Sequence, residues 1–455
     1  MLVRPKIKLF DYGNVIPPLS LGYLATALEK AGHEVMILDQ PSIDMSSAGF
    51  VQALLDYQPQ YVGVSVLTPE FDNAVADTKL IRTTLPHCVI MWGGPHVSAV
   101  PDCIISLPVD VAIIGEGEET IIDVVSGNDF IKISGIAYKD HNDLVYTSKR
   151  APPQELDLLG SPAYHLLPMD KYKYYQRGWE DRLFFNMMTS RGCCFGCTFC
   201  CSAVSGNKVR FRSIKHIVDE IEWLYEQYDV TAISFVDDLF TINLERIKEF
   251  HDEMVNRGLN KKIIWSCNAR VDNMTDKMLM YMKHAGCMKI SFGVESGDPI
   301  VLTKIKKHIT VEQVKNAFKL ARKEGIETLG FFMIGLPGET KDSIKQSIEL
   351  AKQINPDFIS VTVLTPLPGS PVWEENKDKL STDWSRYKFT AFDEKPVLQL
   401  GEVTVDELPG ELKHFYRSFY YRPRYVLSRL MKIRSIGDLV FYIKKALAVS
   451  KYWRG

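Results

Sequence analysis

Five of the nine cysteines fall within nine residues: Cys193, Cys194, Cys197, Cys200 and Cys201. Cys193, Cys197 and Cys200 follow the spacing C-x3-C-x2-C. Three thiolates on one tight loop can hold three irons of a [4Fe–4S] cube, and thiolates are soft ligands suited to that chemistry. The fourth iron is then left for a small molecule that binds through an amino and a carboxylate group. Zinc is the competing metal. A structural zinc takes a second pair of ligands, however, and no Cys or His pair follows at finger-like spacing. Cys194 and Cys201 are read as packing residues with at most weak redox roles, and Cys88, Cys103, Cys267 and Cys287 as small core residues. In a reducing compartment such a cluster points to a metal or catalysis rather than to disulfides.

The rest of the chain must build a frame for that loop. Its 455 residues are 46% hydrophobic and 24% charged, with net charge −2. That is enough for several cores and excludes a disordered, collagen-like or disulfide-stapled chain. No chain-wide basic field calls for nucleic acid. The longest apolar runs, such as 331–336, are far short of the ~20 residues of a bilayer span, and the N-terminus lacks the apolar core of a signal peptide. The expected address is the cytoplasm. Residues 1–145 alternate strand-like runs (6–10, 34–39, 61–67, 88–92, 109–114) with helix-like ones (19–31, 50–57, 72–85, 118–125), which predicts an α/β doubly wound, Rossmann-like parallel sheet. Ligands of such sheets bind beyond the carboxyl ends of the strands. Residues 146–182, with four prolines and little periodicity, read as a linker. A second α/β series fills residues 183–400. Strands are expected at 184–189, 232–236, 263–268, 289–294, 328–334 and 358–364, and helices at 214–228, 276–285 and 343–354, with another between the Thr310/Gln313 capping box and Gly325. Six strand–loop–helix repeats predict a full or partial (β/α) barrel with its chemistry at the strands' C-terminal ends. Residues 401–455 read as a small helical region; 413–455 hold eleven Lys/Arg against one acid, Asp438.

The segment Thr189-Ser-Arg-Gly-Cys193-Cys-Phe-Gly-Cys197-Thr-Phe199-Cys200 resembles the radical S-adenosylmethionine superfamily, and the resemblance extends over roughly residues 183–370. It implies that Cys193, Cys197 and Cys200 ligate a [4Fe–4S] cluster and that Phe199 lies near the adenine. Asp237 and Asp238 fall where relatives touch the methionine ammonium, which wants an anionic partner. Gly293-Val-Glu295-Ser296-Gly297 matches the segment contacting the methionine carboxylate and ribose. Gly335 and Leu336 fall where the backbone approaches the adenine edge, and Arg270 is assigned to a carboxylate. The N-terminal part resembles the cobalamin-binding domain of one branch of that superfamily, which implies cobalamin contacts at Pro18, Leu19, Ser20, Ser65, Leu67, Thr68, Gly93, Gly94, Pro95, Gly115 and Glu116. One departure is Asp11-Tyr12-Gly13-Asn14, which lacks the histidine that ligates cobalt from below in other corrinoid proteins; the resemblance then implies a lower face that is open, water-filled or packed by the loop after the third strand, here Leu67-Thr68-Pro69-Glu70, and the lone His96 reads as a core or supporting residue.

The resemblance implies an enzyme that uses a [4Fe–4S] cluster, S-adenosylmethionine and methylcobalamin to methylate an unactivated carbon of a small-molecule or lipid-like substrate. Its partner would be a one-electron donor such as flavodoxin or ferredoxin. The alternative is a cobalamin-dependent ring-forming or carbon–carbon bond-forming enzyme without net methyl transfer. A transfer-RNA methylthiotransferase ranks lower, because that family needs three N-terminal cysteines and only Cys88 and Cys103 are present. The basic aromatic tail reads as a helical cap on the barrel or a peripheral membrane contact.

Overall fold

The computed structural model describes residues 1–6, 15–141, 143–172, 182–387, 396–431, 433, 439–440 and 442–443. Apolar runs buried on both faces become parallel strands, because helices on either side must cover them. The N-terminal sheet contains β1 (Leu2–Arg4), β2 (Ile37–Asp39), β3 (Tyr61–Ser65), β4 (Val89–Gly93), β5 (Val111–Ile113), β6 (Ile136–Asp140) and β7 (Asp143–Tyr146), in the order β2-β1-β3-β4-β5-β6-β7. It is parallel through β5, and β6 and β7 add an antiparallel hairpin that the sequence reading did not anticipate. Winding reverses between β1 and β3, and in sheets of this kind ligands seat in the crevice beyond the C-terminal ends at that point. The first strand lies at Leu2–Arg4 instead of 6–10; residues 7–10 and the stretch Asp11–Asn14 lie outside the described residues.

The described part of 146–182 is a packed connection between the two sheets. Leu156, Tyr164 and Tyr172 are buried on it. The Tyr164 hydroxyl donates to Glu220, and that of Tyr172 donates to Asp39 at 3.0 Å. Proline removes donors and periodicity, but it does not stop intervening aromatics from filling a seam between domains.

The second sheet begins with β8 (Leu183–Met187). A two-residue antiparallel pair, β9 (Ser190–Arg191) and β10 (Arg210–Phe211), brackets the cysteine loop. The sheet continues through β11 (Val230–Phe235), β12 (Ile264–Ala269), β13 (Cys287–Glu295), β14 (Glu327–Ile334) and β15 (Phe358–Val363). These six pair in chain order, all parallel, and β8 and β15 are the two edges, so the barrel is partial. Ser213 caps helix Ile214–Tyr228, and the Thr310/Gln313 capping box starts helix Val311–Lys323. Helix Leu244–Asn256, with its Asn243 cap, went unread.

The open edge at β15 is covered by helix Leu408–Tyr420. The Tyr420 hydroxyl accepts from Ile359 N and donates to Ile359 O, both at 3.0 Å. The Tyr416 hydroxyl does the same for Val361, at 2.9 and 3.1 Å. Four residues of helix advance ~6 Å and two residues of strand ~6.6 Å, so the two spacings match. The unpaired backbone groups of an edge are satisfied by side chains, which also blocks strand addition. Tyr416→Phe and Tyr420→Phe should each cost about 1–3 kcal/mol in denaturant unfolding, because each strands a buried N–H and C=O. A loss within error in both variants would rule this role out.

Candidate functional site

The cysteine loop is held by geometry only glycine allows. Gly192 has φ +89°, and a Cβ there would lie 2.4 Å from Lys208 O. The loop is anchored further by Thr198 N to Ile305 O at 3.0 Å and by Val372 N to Thr198 O at 2.9 Å. Arg270 lies under it, with Cζ 3.7 Å from the Phe195 ring centroid, and Lys307 Nζ sits 5.8 Å from that of Phe199. Cys197 is buried, Cys193 is half-buried and Cys200 is exposed; all nine cysteines are free. Burial pushes the Cys193 thiol up. Cys197 is held below the ordinary thiol range, first by the hydrogen bond from Cys200 and then by the cations Lys307 and Arg270. Among the described residues no group of three or more His, Cys, Asp or Glu side chains is arranged to hold a single metal ion. A cubane spaces its thiolates more widely than one ion does, and three soft donors on one loop beside two cations fit an anionic iron–sulfur cluster.

Of the residues assigned to the sulfonium ligand, several turn out to be engaged by the chain itself. Asp237 is buried and accepts from Thr189 N at 2.9 Å, Thr189 Oγ1 at 2.8 Å and Ser190 Oγ at 2.6 Å. Burial raises its pKa against those three donors. It braces the entrance of the cysteine loop and is not open to an ammonium. The carboxylate that remains open at this strand end is Asp238, which is exposed, accepts no hydrogen bond from the described chain and lies close enough to raise the Cys193 pKa. Arg270 turns its fork to Asp272, at 3.0 and 2.8 Å, and to Lys307 O. Ser296 is buried against Ser347 at 3.3 Å. The backbone N–H groups of Gly335 and Leu336 both point at Glu339. Glu295, at φ +65°, pairs its Oε1 with Lys307 Nζ at 2.6 Å, and its Oε2 accepts no hydrogen bond from the described residues. Lys307 and Gly192 were not singled out from sequence. Lys307 sits in a run of lysines that reads as a solvated face.

Burial raises the Glu339 carboxyl pKa to about 8, against the two backbone donors that lower it. An unfolded glutamate ionises near 4.5. Between those values the unfolded state loses its proton while the folded state keeps it, so stability should fall with rising pH by up to ~1.4 kcal/mol per unit. The fall ends above about pH 8. Glu339→Gln should flatten that slope between pH 5 and pH 8 in urea unfolding. An unchanged slope would place the proton elsewhere.

The N-terminal candidates line the C-terminal edge of their sheet: Pro18, Leu19 and Ser20 open helix Leu19–Lys30, Ser65, Leu67 and Thr68 follow β3, Gly93, Gly94 and Pro95 end β4, and Gly115 and Glu116 follow β5. A Cβ placed on Gly93 would meet Ile113 Cβ at 3.9 Å, and one on Gly115 would meet Val204 O at 3.9 Å, ordinary van der Waals contact, so neither position is crowded. Gly94 differs: at φ +104° its Cβ would meet Val66 O at 3.0 Å, so its freedom serves the sheet's own backbone. His96 is buried and neutral, its pKa lowered to about 4 by burial; Nδ1 lies 3.0 Å from Thr68 Oγ1, and Nε2 has no partner. This orphaned nitrogen and the two uncrowded glycines make an edge that a large, flat polar ligand would suit.

Glu116 faces the other way from its assignment. Both its oxygens bind the bracket of the cysteine loop: Arg191 at 2.7 Å and Arg210 through two guanidinium nitrogens, one at 3.1 Å. Glu118 takes the second nitrogen of Arg191 at 2.5 Å. Glu116 and Arg210 side chains are each only 3% exposed. The acidic turn after β5 therefore grips the base of the cysteine loop, and the carboxyl edges of both sheets meet at one seam.

Comparison with known proteins identifies both parts of the chain. Residues 187–351 match the model of the Radical SAM superfamily, and residues 5–125 match that of the B12 binding domain. The chain is 33% identical to an uncharacterized methyltransferase of Pyrococcus horikoshii, over 96% of this chain and 93% of that one. It is 30% identical to the anaerobic magnesium-protoporphyrin IX monomethyl ester cyclase of Cereibacter sphaeroides, over 96% of this chain and 74% of that one. The fold is shared with the cobalamin-dependent S-adenosylmethionine radical enzyme OxsB, at TM-score 0.77 and 18% identity, over 99% of this chain and 71% of that one.

Proposed function

The chain belongs to the cobalamin-dependent radical SAM enzymes, and on that premise we propose that it transfers a methyl group to an unactivated carbon of a small-molecule or lipid-like substrate. Residues 1–145 are assigned to corrinoid binding, 183–400 to the radical chemistry, and 401–455 to a cap. When bound, the [4Fe–4S] cluster supplies the electron that splits S-adenosylmethionine, and cobalamin supplies a transferable methyl. Cys193, Cys197 and Cys200 hold the cluster, while Lys307 and Arg270 offset its negative charge. Asp238 takes the ammonium, Glu295 Oε2 a ribose hydroxyl and Phe199 the adenine face. Gly93 and Gly115 leave room for the corrin, and Ser65, Leu67, Thr68 and Pro95 line its edge. The protein's share of the work is orientation and exclusion of water. One observation carries the reading: the turn after β5 pairs directly with the arginines flanking the cysteine loop, so the two cofactor edges share one seam.

The likeness to a ring-forming cyclase over nearly the whole chain favours a second reading, radical ring closure without methyl transfer. Product analysis separates the two without knowing the substrate. Protein reconstituted anaerobically with iron, sulfide and hydroxocobalamin, then given S-adenosylmethionine and a strong reductant, should form both 5′-deoxyadenosine and S-adenosylhomocysteine. The second product marks a methyl leaving the sulfonium. 5′-Deoxyadenosine alone would overturn methyl transfer in favour of ring closure. Neither product from a fully loaded protein would overturn both.

A further inference from the structure

Helix Pro423–Leu430 is inside out. Its buried residues are Tyr425 and Arg429. The Tyr425 hydroxyl donates to Asp357 O at 2.8 Å, and Arg429 pairs with Asp357 Oδ1 at 2.5 Å. Its solvent side carries Val426, Leu427 and Leu430, followed by Met431, with 44, 58, 57 and 70% of their surface exposed. A helix on a water-facing surface normally turns the opposite way. Leu439, Val440 and Ile443, further along the chain, are exposed as well.

Charge is segregated onto the same end of the chain. Residues 413–455 hold eleven Lys/Arg and one acid, a local charge of +10; with −2 for the whole chain, the other 412 residues carry −12. We propose that this face docks on an anionic lipid bilayer, with Val426, Leu427, Leu430 and Met431 entering the interface, exposed Arg424 pairing with headgroups, and the net positive charge of this end of the chain drawing it to the surface. A polynucleotide would use the charge and leave the apolar face wet. A second copy of the chain would use the apolar face and gain nothing from ten like charges. An anionic bilayer uses both. Among the described residues no helix is long and apolar enough to cross a membrane, so the contact lies on the surface. The helix rests on Asp357, beside the start of β15, so docking would fix the orientation of the partial barrel relative to the bilayer. The proposal does not depend on which reaction the seam performs.

Vesicle flotation of the full-length, cofactor-loaded protein tests it. Vesicles of phosphatidylcholine containing about one third phosphatidylglycerol should carry at least about tenfold more protein than phosphatidylcholine alone, and high salt should reduce that binding. Leu427→Glu combined with Leu430→Glu should lower it by about tenfold or more while leaving 5′-deoxyadenosine formation unchanged. Both side chains are exposed, so the variant should keep its fold, and circular dichroism checks that it does. Equal binding to the two vesicle types, or full binding by the double variant, overturns the proposal. So does a dimer in solution that the double variant dissociates, or tight binding to polynucleotide that the double variant retains.

Discussion

Anaerobically reconstituted Cys197→Ala is expected to release at least about a thousandfold less 5′-deoxyadenosine than the unaltered protein, a barrier increase of ~4 kcal/mol. Of the three spaced cysteines, Cys197 is the buried one, and it lies between the hydrogen bond from Cys200 and the cations Lys307 and Arg270. Removing it leaves two thiolates for a cluster that needs three protein corners, and it leaves two buried cations facing an apolar methyl. Iron and sulfide content, together with thiolate-to-iron absorbance, should fall with activity. Cys194→Ala and Cys201→Ala should retain both, since those two side chains are exposed and stand outside the C-x3-C-x2-C spacing. Sulfonium cleavage by Cys197→Ala at the unaltered rate would end the cluster assignment. Loss of iron in Cys194→Ala as well would mean that the ligand set is wrong.

Glu116→Ala is expected to be among the most destabilising single substitutions in the chain, at about 3–5 kcal/mol. The carboxylate lies between Arg191 and Arg210, and its removal leaves the Arg210 guanidinium, 3% exposed, with only carbonyl partners at Pro153 and Ser205. Folded domains hold only about 5–15 kcal/mol in reserve, so the loss should be plain in the denaturant midpoint. Arg210→Met in the Glu116→Ala background should recover most of it, because an apolar replacement of a buried pair is often neutral whereas half of a pair is not. The same variants report on function. β9 and β10 carry the two arginines and bracket the cysteine loop, so loosening the grip should lower cluster occupancy in Glu116→Ala and restore it in the double variant. A midpoint within error of the unaltered protein would show that the seam is held elsewhere. Recovery of stability without recovery of iron would show that the grip is structural only.

Much of the fold was legible because its signals are local. Apolar runs at strand length, helical periodicity and side-chain caps act over a few residues, so helix Ile214–Tyr228 and strands β11–β15 fall within about two or three residues of their expected positions. The cysteine spacing is local as well, since three donors on one loop need no distant partner to suggest a metal. Where sequence reading went astray, the reason was a partner far away in the chain. Leu2–Arg4 is too short for periodicity to mark, and only its place between β2 and β3 makes it a strand.

Polar residues at strand ends show the same divide. Sequence placed Asp237, Asp238, Arg270, Ser296, Gly335 and Glu116 at the right edges, where either a ligand or the protein can claim them. The tertiary structure made the choice: Thr189 and Ser190 take Asp237, Asp272 takes Arg270, Ser347 takes Ser296, Glu339 takes the Gly335 amide, Arg191 and Arg210 take Glu116, and Asp238 stays open. A buried polar group must find a partner. Residue type alone determined which partners each group can accept, and three-dimensional neighbourhood decided which one it received.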